Sequence, residues 1–277
     1  MKHIKITTPL CFSKKGQRQN QEDSIYPSEG EATSSCRVLM VCDGMGGHEK
    51  GEVASQTVAN VMGSRLSSLD LCSMETMKEH FLSALQEAQQ ELDRLDDGTS
   101  EKKMGTTLTF WSLCSDGILM AHIGDSRIYQ LRPDKGVIFH TKDHSLVQEL
   151  ITAGEMTEEE AQHSKIKNVI TRAVQPHEEN PSRPTFDILT DIRPGDVFLL
   201  CSDGVTEKTD DKQLAHILLQ ESDLEQRLKR LEEHCAKAET RDNHSCYIVQ
   251  IEEVDGRRYS KEEKQQSVLD RILKLFK

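Results

Sequence analysis

No run of apolar residues in this 277-residue chain approaches the roughly 18–20 needed to cross a bilayer. Met1 to Leu10 carries Lys2, Lys5 and Pro9 but no apolar block of signal-peptide length. Basic charge is also short: 35 Lys and Arg stand against 47 Asp and Glu, a formal net charge of −12, so the footprint of a nucleic-acid binder is missing. The eight cysteines (Cys11, Cys36, Cys42, Cys72, Cys114, Cys201, Cys235 and Cys246) include no C-x-x-C pair, which excludes a dense disulfide scaffold and a paired-thiolate zinc site. Several lie in apolar runs, as at Val41-Cys42 and Leu200-Cys201, where a reduced thiol acts as a small core residue. With 35% hydrophobic residues there is enough material for a core, so a soluble, cytoplasmic, globular protein is expected.

Helical periodicity is clear at Glu52–Leu66, and again at Thr76–Leu95, where Met77, Phe81, Leu85, Ala88 and Leu92 recur at three-to-four spacing. Thr76 with Glu79, and Thr157 with Glu160, have the spacing of capping boxes. Four short β-type runs, Thr106–Leu113, Ile118–Ile123, Arg127–Leu131 and Val137–His140, predict an antiparallel meander. Ser145–Ala153, Thr157–Gln162, Asp211–Gln220 and Ser222–Ala238 read as helices. Phe186–Leu189, Val197–Cys201 and Ser245–Glu252 read as strands. Strand clusters alternating with helix pairs predict an α+β layered fold in which helices cover antiparallel sheets.

The strongest chemical signal is a repeated local design. Val38 to Cys42 is a buried-strand run that stops at Asp43-Gly44-Met45-Gly46-Gly47, and Val197 to Cys201 stops likewise at Ser202-Asp203-Gly204. Ile118–Ile123 leads to Gly124-Asp125-Ser126-Arg127, Asp242-Asn243 precedes the last strand, and Arg18 is followed by Asn20, Glu22 and Asp23. A lone Asp-Gly is an ordinary turn. Several acids at the ends of neighbouring strands repel one another unless cations neutralise them, and oxygen-only clusters suit hard ions such as Mg²⁺ or Mn²⁺. Other chemistries lack their parts: there is no G-x-S-x-G elbow, no G-x-x-x-x-G-K-[ST] loop and no H-E-x-x-H. Cys235 and Arg241 have a C-x5-R spacing, but no glycine between them opens the backbone toward an anion and Glu239 would repel one. His140 and His144 straddle a strand–loop boundary and read as structural or surface histidines.

In chain order the motifs are Arg18…Asn20-Gln21-Glu22-Asp23-Ser24, Asp43-Gly44-Met45-Gly46-Gly47-His48…Gly51-Glu52…Ala54-Ser55, Gly105-Thr106-Thr107, Gly124-Asp125-Ser126-Arg127, Asp143-His144-Ser145, Ser202-Asp203-Gly204 and Asp242-Asn243. Together they resemble the metal-dependent serine/threonine protein phosphatases of the protein phosphatase 2C type, especially the bacterial single-domain form, over roughly residues 5 to 251. The resemblance implies an antiparallel β-sandwich flanked by pairs of α-helices, with a catalytic domain at 1–254 and a flap at about 145–174 beside the site. It implies two Mn²⁺ or Mg²⁺ ions: Asp43 bridging both, Gly44 offering its carbonyl to one, and Asp203 and Asp242 holding the other. Glu22 and Asp23 would act through metal-bound water, and Asp125 with Asp203 matches a third, weaker metal position. Arg18 would bind the substrate phosphate. The implied activity is hydrolysis of phosphoserine and phosphothreonine in proteins by a metal-activated water, opposing a serine/threonine kinase or acting on its targets. Met45 stands where animal relatives carry a histidine that protonates the leaving group, and His48 lies nearby, so no general acid is assigned.

The competing reading is a catalytically silent relative that binds phosphoproteins as a scaffold; loss of a metal carboxylate would mark it, and all are present. Residues 255–277 differ in charge from the rest. Gly256 to Lys277 carries seven Lys and Arg against three acids, and Val268, Leu269, Ile272, Leu273, Leu275 and Phe276 would share an apolar helix face. Such a tail docks on its own acidic body, or on a partner or anionic membrane. No nucleic-acid partner and a monomer are expected.

Overall fold

The computed structural model describes residues 3–46, 50–98, 103–220, 223–238 and 240–258. His48 and the apolar tail face fall outside the described residues. In chain order the elements are β1 (Ile4–Ile6), β2 (Leu10–Lys14), β3 (Asp23–Tyr26), β4 (Val38–Met45), α1 (Lys50–Ser67), α2 (Met74–Leu95), β5 (Gly105–Thr106), β6 (Leu108–Leu113), β7 (Ile118–Ile123), β8 (Arg127–Arg132), β9 (Gly136–His140), α3 (Leu146–Thr152), α4 (Glu158–His163), β10 (Thr185–Leu189), β11 (Val197–Cys201), α5 (Asp203–Thr206), α6 (Asp211–Gln220), α7 (Leu224–Lys237), β12 (His244–Val254) and β13 (Arg257–Arg258). Among the described residues no helix is long and apolar enough to cross a membrane.

The strands form two antiparallel sheets. One runs β1-β12-β11-β8-β9, with β2 and β13 also paired to β12; the other runs β10-β7-β6-β4-β3, with β5 on β4. Successive side chains leave a strand on opposite faces. On β4, Leu39 and Val41 join Trp111, Phe198 and Leu200 in the core between the sheets. Val38, Met40 and Cys42 point the other way and pack with Val58 and Met62 of α1 and Phe81 of α2. On β11, Val197, Leu199 and Cys201 pack with Leu214 and Leu218 of α6 and Leu231 of α7. The layers are therefore helix pair, sheet, sheet, helix pair, as expected. Central strands covered on both faces explain why these runs are apolar without interruption.

Local chemistry moves two expected features. Helix α2 starts at Met74, not Thr76: the Ser73 hydroxyl accepts from the Thr76 backbone N–H, and Met74 and Met77 add a buried turn. The Thr76–Glu79 box is thereby displaced, whereas the Thr157–Glu160 box caps α4 as its spacing predicts. The meander is broken in the middle. β6 pairs with β7 and β8 with β9, but Gly124-Asp125-Ser126 carries the chain from one sheet to the other. Gly124 has φ +101°, and a Cβ there would press into the Thr107 side chain, so this crossover requires glycine.

Candidate active site

Both sheets end in acids on the same side of the molecule. Asp43 and Gly44 close β4. The Asp43 carbonyl accepts from Thr107 N (2.9 Å) and Thr106 Oγ1 (3.0 Å), and its N–H donates to Thr107 Oγ1 (2.9 Å). Gly44 N donates to the Glu22 carbonyl at 3.0 Å. A Cβ on Gly44 would collide with the backbone oxygens of Gly51 and Glu22, so only glycine lets β4, the start of α1 and the Glu22 segment converge. Asp23 is the register partner of Asp43 across β3 and β4, which sets two like charges directly opposite. Asp203 follows β11 in the first turn of α5, rather than in a simple glycine turn, and Asp242 precedes β12. Asp125 sits on the crossover between the sheets.

These placements bring the expected acids within reach of one another's charge. Asp23 is 5% exposed, and burial, reinforced by Asp203 and Asp242, pushes its pKa up to about 7. Burial and the charges of Asp23, Asp203, Asp125 and Asp242 raise Asp43 well above the usual carboxylate range. Asp125 is pushed up to about 7 by burial, Asp203 and Asp143. Asp203 rises to about 6 through burial and Asp242, although a hydrogen bond with the Asp43 side chain opposes this. Raised carboxyls held this close are arranged to accept positive charge.

Several supporting residues carried no assigned role in the sequence reading. Ser202 Oγ donates to Asp23 Oδ2 at 2.7 Å and accepts from Ser245 N at 3.0 Å. Asn243 receives the Glu22 N–H on Oδ1 (2.8 Å), while its Nδ2 donates to the carbonyls of Lys15 (2.8 Å) and Asn20 (2.9 Å). It thus ties the Arg18–Glu22 segment to the residue after Asp242. Thr107 Oγ1 meets Ser126 Oγ at 2.7 Å, coupling Asp43 to the crossover. The available signal was a set of small hydroxyls and amides adjoining acids at strand ends, where a solvated turn needs none. Arg18 is exposed, and its Nη2 donates to Asp242 Oδ2 at 2.6 Å.

The segment expected as a flap carries α3 and α4, and backbone bonds fix both its ends. Thr106 and Val174 exchange backbone hydrogen bonds (3.0 and 2.8 Å), and Leu146 N donates to Val169 O at 2.9 Å. Behind it His144 is buried: its Nδ1 accepts from Gly124 N at 3.1 Å and its Nε2 meets Thr185 Oγ1 at 2.8 Å. Burial, with His122 and Arg172 alongside, lowers its pKa to about 3, so it is a neutral structural residue.

The donor set fits divalent cations of the hard class. Asp23 Oδ1 and Asp203 Oδ1 are buried and have no hydrogen-bond partner, a costly state for carboxylates that a bound cation relieves. The Gly44 cradle brings backbone close to the same acids. Among the described residues no three acid, His or Cys side chains form a closed ligand cage. Converging carboxylates without a bound cation share protons or take another counter-charge, as the Asp43–Asp203 hydrogen bond and the Arg18–Asp242 pair respectively do here.

A two-sheet sandwich between helix pairs, with a cluster of carboxyls where both sheets end, defines the class of protein. Residues 13–244 match the family model described as Protein phosphatase 2C. The chain is 30% identical over 242 residues to "Protein phosphatase PhpP" of Streptococcus pneumoniae, covering 87% of this chain and 95% of that protein. It superposes on the S. agalactiae serine/threonine phosphatase with a TM-score of 0.78 at 30% identity, covering 90% of this chain and all of that one. The catalytic domain of the serine/threonine phosphatase PstP, a Mycobacterium tuberculosis protein solved in complex with two manganese ions, gives 0.73 at 30% identity, with 90% of this chain and 99% of that one covered. The chain belongs to the protein phosphatase 2C family and is a serine/threonine protein phosphatase.

Proposed function

We propose that the enzyme hydrolyses phosphoserine and phosphothreonine in proteins at a centre of two Mn²⁺ or Mg²⁺ ions held by Asp43, the Gly44 carbonyl, Asp203 and Asp242. The observation that carries this reading is the convergence of four raised carboxyls, two with buried unpartnered oxygens, at the common end of both sheets. When bound, the ions supply Lewis-acid charge and a nucleophilic water at neutral pH, and reverse the field that a −12 protein presents to a phosphate dianion. Glu22 and Asp23 orient the outer ligands, and Asp125 with Asp203 offers a third, weaker position. Arg18 exchanges its partner Asp242 for the substrate phosphate, which its planar guanidinium binds through two parallel N–H donors.

The same proposal extends to a role opposing a serine/threonine kinase, to a catalytic unit within 1–254, and to docking by the basic segment 255–277. The direct test is hydrolysis of p-nitrophenyl phosphate and of a phosphothreonine peptide with Mn²⁺, with Mg²⁺ and with EDTA, beside Asp43→Asn and Asp203→Asn. Metal-dependent turnover lost in both variants supports it. A folded wild type that binds phosphopeptide without turnover in either metal replaces it with the scaffold reading.

A further inference from the structure

At one edge the sandwich opens between β9 and β10 beneath α3, leaving a cavity of about 480 Å³. Two stacked imidazoles, His122 and His144, form part of its lining, with ring centroids 4.4 Å apart and planes inclined by 12°. Their chemistry is fixed by their partners. His122 is 1% exposed, and its Nε2 lies 2.7 Å from the Lys142 carbonyl. A carbonyl only accepts, so the proton is on Nε2 and Nδ1 carries the lone pair. That Nδ1 is buried and has no partner among the described residues. Burial lowers the His122 pKa, which keeps the ring neutral.

A second acceptor lies on the neighbouring strand. Thr185 of β10 opposes His122 in the register, and Asp187 lies two residues along on the same face. Asp187 is half-buried and lines the cavity; it forms no salt bridge among the described residues, and burial raises its pKa while His122 lowers it. The cavity is thus lined by a carboxylate without a hydrogen-bond donor among the described residues, with the buried His122 ring behind it. Phe139 and Ala153 supply apolar wall. Lys142 and Arg172 also line the cavity and are exposed; Arg172 Nη1 lies 3.4 Å from His144 Nε2 and its charge lowers the pKa of both histidines, so the Asp187 carboxylate has to outweigh it for a second cation to bind.

The cavity adjoins the catalytic end. Asp143, another lining residue, holds Arg127 through two 2.6 Å bonds and contributes to raising the Asp125 pKa. His144 Nδ1 accepts from Gly124 N, next to Asp125.

We propose that this cavity is a specificity subsite for a basic side chain, arginine above all, flanking the phosphorylated residue of the substrate protein. The inference rests on the phosphatase reading and adds a substrate class to it. A guanidinium offers several N–H donors in one plane, a fork that matches the Asp187 carboxylate, and its flat face stacks on an imidazole. Lysine meets the charge but not the fork. A glutamate in the same place would meet Asp187 and gain nothing from His122.

The test uses the full chain with Mn²⁺ and a set of phosphothreonine peptides in which a single arginine is walked through the positions flanking the phosphothreonine and replaced there by glutamine or glutamate. The wild type is expected to favour arginine at one position by about tenfold in kcat/KM, the size of a charge-assisted hydrogen bond. Asp187→Asn is expected to remove that preference while p-nitrophenyl phosphate hydrolysis, which does not reach the cavity, stays unchanged. Asp187→Lys is expected to turn the preference toward glutamate at the same position. Turnover of all peptides with no arginine preference, or a preference that both variants retain, overturns the subsite. Absence of turnover of every substrate by the wild type overturns the phosphatase reading instead, so the two failures are distinct.

Discussion

Without cations the acidic end of the sandwich works against the fold, and the size of the effect follows from its carboxyls. A carboxyl whose pKa is raised by folding keeps a proton in the native state that it gives up when unfolded. Its contribution to stability is complete below the unfolded value of 3.8 and is lost as pH rises through the native values of about 6 to 7. At roughly 1.4 kcal/mol per tenfold change, ionising Asp23 in the native state costs about 4 kcal/mol. Asp203 retains some water contact and adds less, and the repulsions among the acids are shared, so the site as a whole costs on the order of 5 kcal/mol at neutral pH. Domains of this size are stable by only about 5–15 kcal/mol. The metal-free protein is therefore expected to be several kcal/mol less stable at about pH 7.5 than the pH trend of its other carboxylates predicts. Asp203→Asn isolates the site, because it removes one of the opposing charges and leaves the rest of the molecule alone. In EDTA the variant is expected to exceed the wild type by about 1–2 kcal/mol at about pH 7.5, with the gap closing toward about pH 4.5. In Mn²⁺ the order reverses, since the wild type gains about 3 kcal/mol at a hundredfold excess over Kd and the variant gains less. Urea denaturation at a series of pH values, with and without the metal, reads both effects. Superimposable wild-type and variant curves in EDTA, or a variant that Mn²⁺ stabilises as much as the wild type, would refute the reasoning.

Three other outcomes follow from the geometry. Gly44→Ala drives a methyl group into two backbone oxygens, so a loss of about 3 kcal/mol or more in denaturation midpoint is expected, with phosphatase activity gone even where the protein still folds. Ser202→Ala strips Asp23 of one hydroxyl donor and Ser245 N of its acceptor, at about 1–3 kcal/mol; Mn²⁺ affinity measured by calorimetry is expected to fall with it. Asp196→Ala removes the fully buried partner of Arg132 (4% side-chain exposure) and is expected to destabilise by about 3–5 kcal/mol, leaving kcat on p-nitrophenyl phosphate unchanged under conditions where the protein is folded.

Much of this was legible before any coordinates, and for identifiable reasons. The continuous apolar runs at Val38–Cys42 and Val197–Cys201 announce strands buried on both faces, and each ends in an acid beside a glycine, so fold and chemistry shared one signal. What the sequence concealed was long-range pairing. β1, β2 and β3 are short and partly polar, and become strands only because β12 and β4 lie beside them. The meander expectation failed at Gly124 because a glycine turn between two apolar runs looks the same whether the chain folds back in one sheet or crosses to the other. The cavity at His122 was equally invisible. Its two furnishing residues, His122 and Asp187, are far apart in sequence, and neither lies in a motif.

The place of β12 has a consequence for the order in which the chain is made. This strand is among the last described elements, yet β11, β2 and β1 all pair with it, and Asp242 stands at its threshold. A ribosome that has delivered everything up to Asp242 has released two N-terminal strands with no partner and an acidic site lacking one wall. A chain stopped anywhere before β12 lacks the strand that joins β1 and β2 to β11, so partial synthesis is expected to yield no unsupervised phosphatase. Activity is expected to arrive late, with the strand that joins the two ends of the chain.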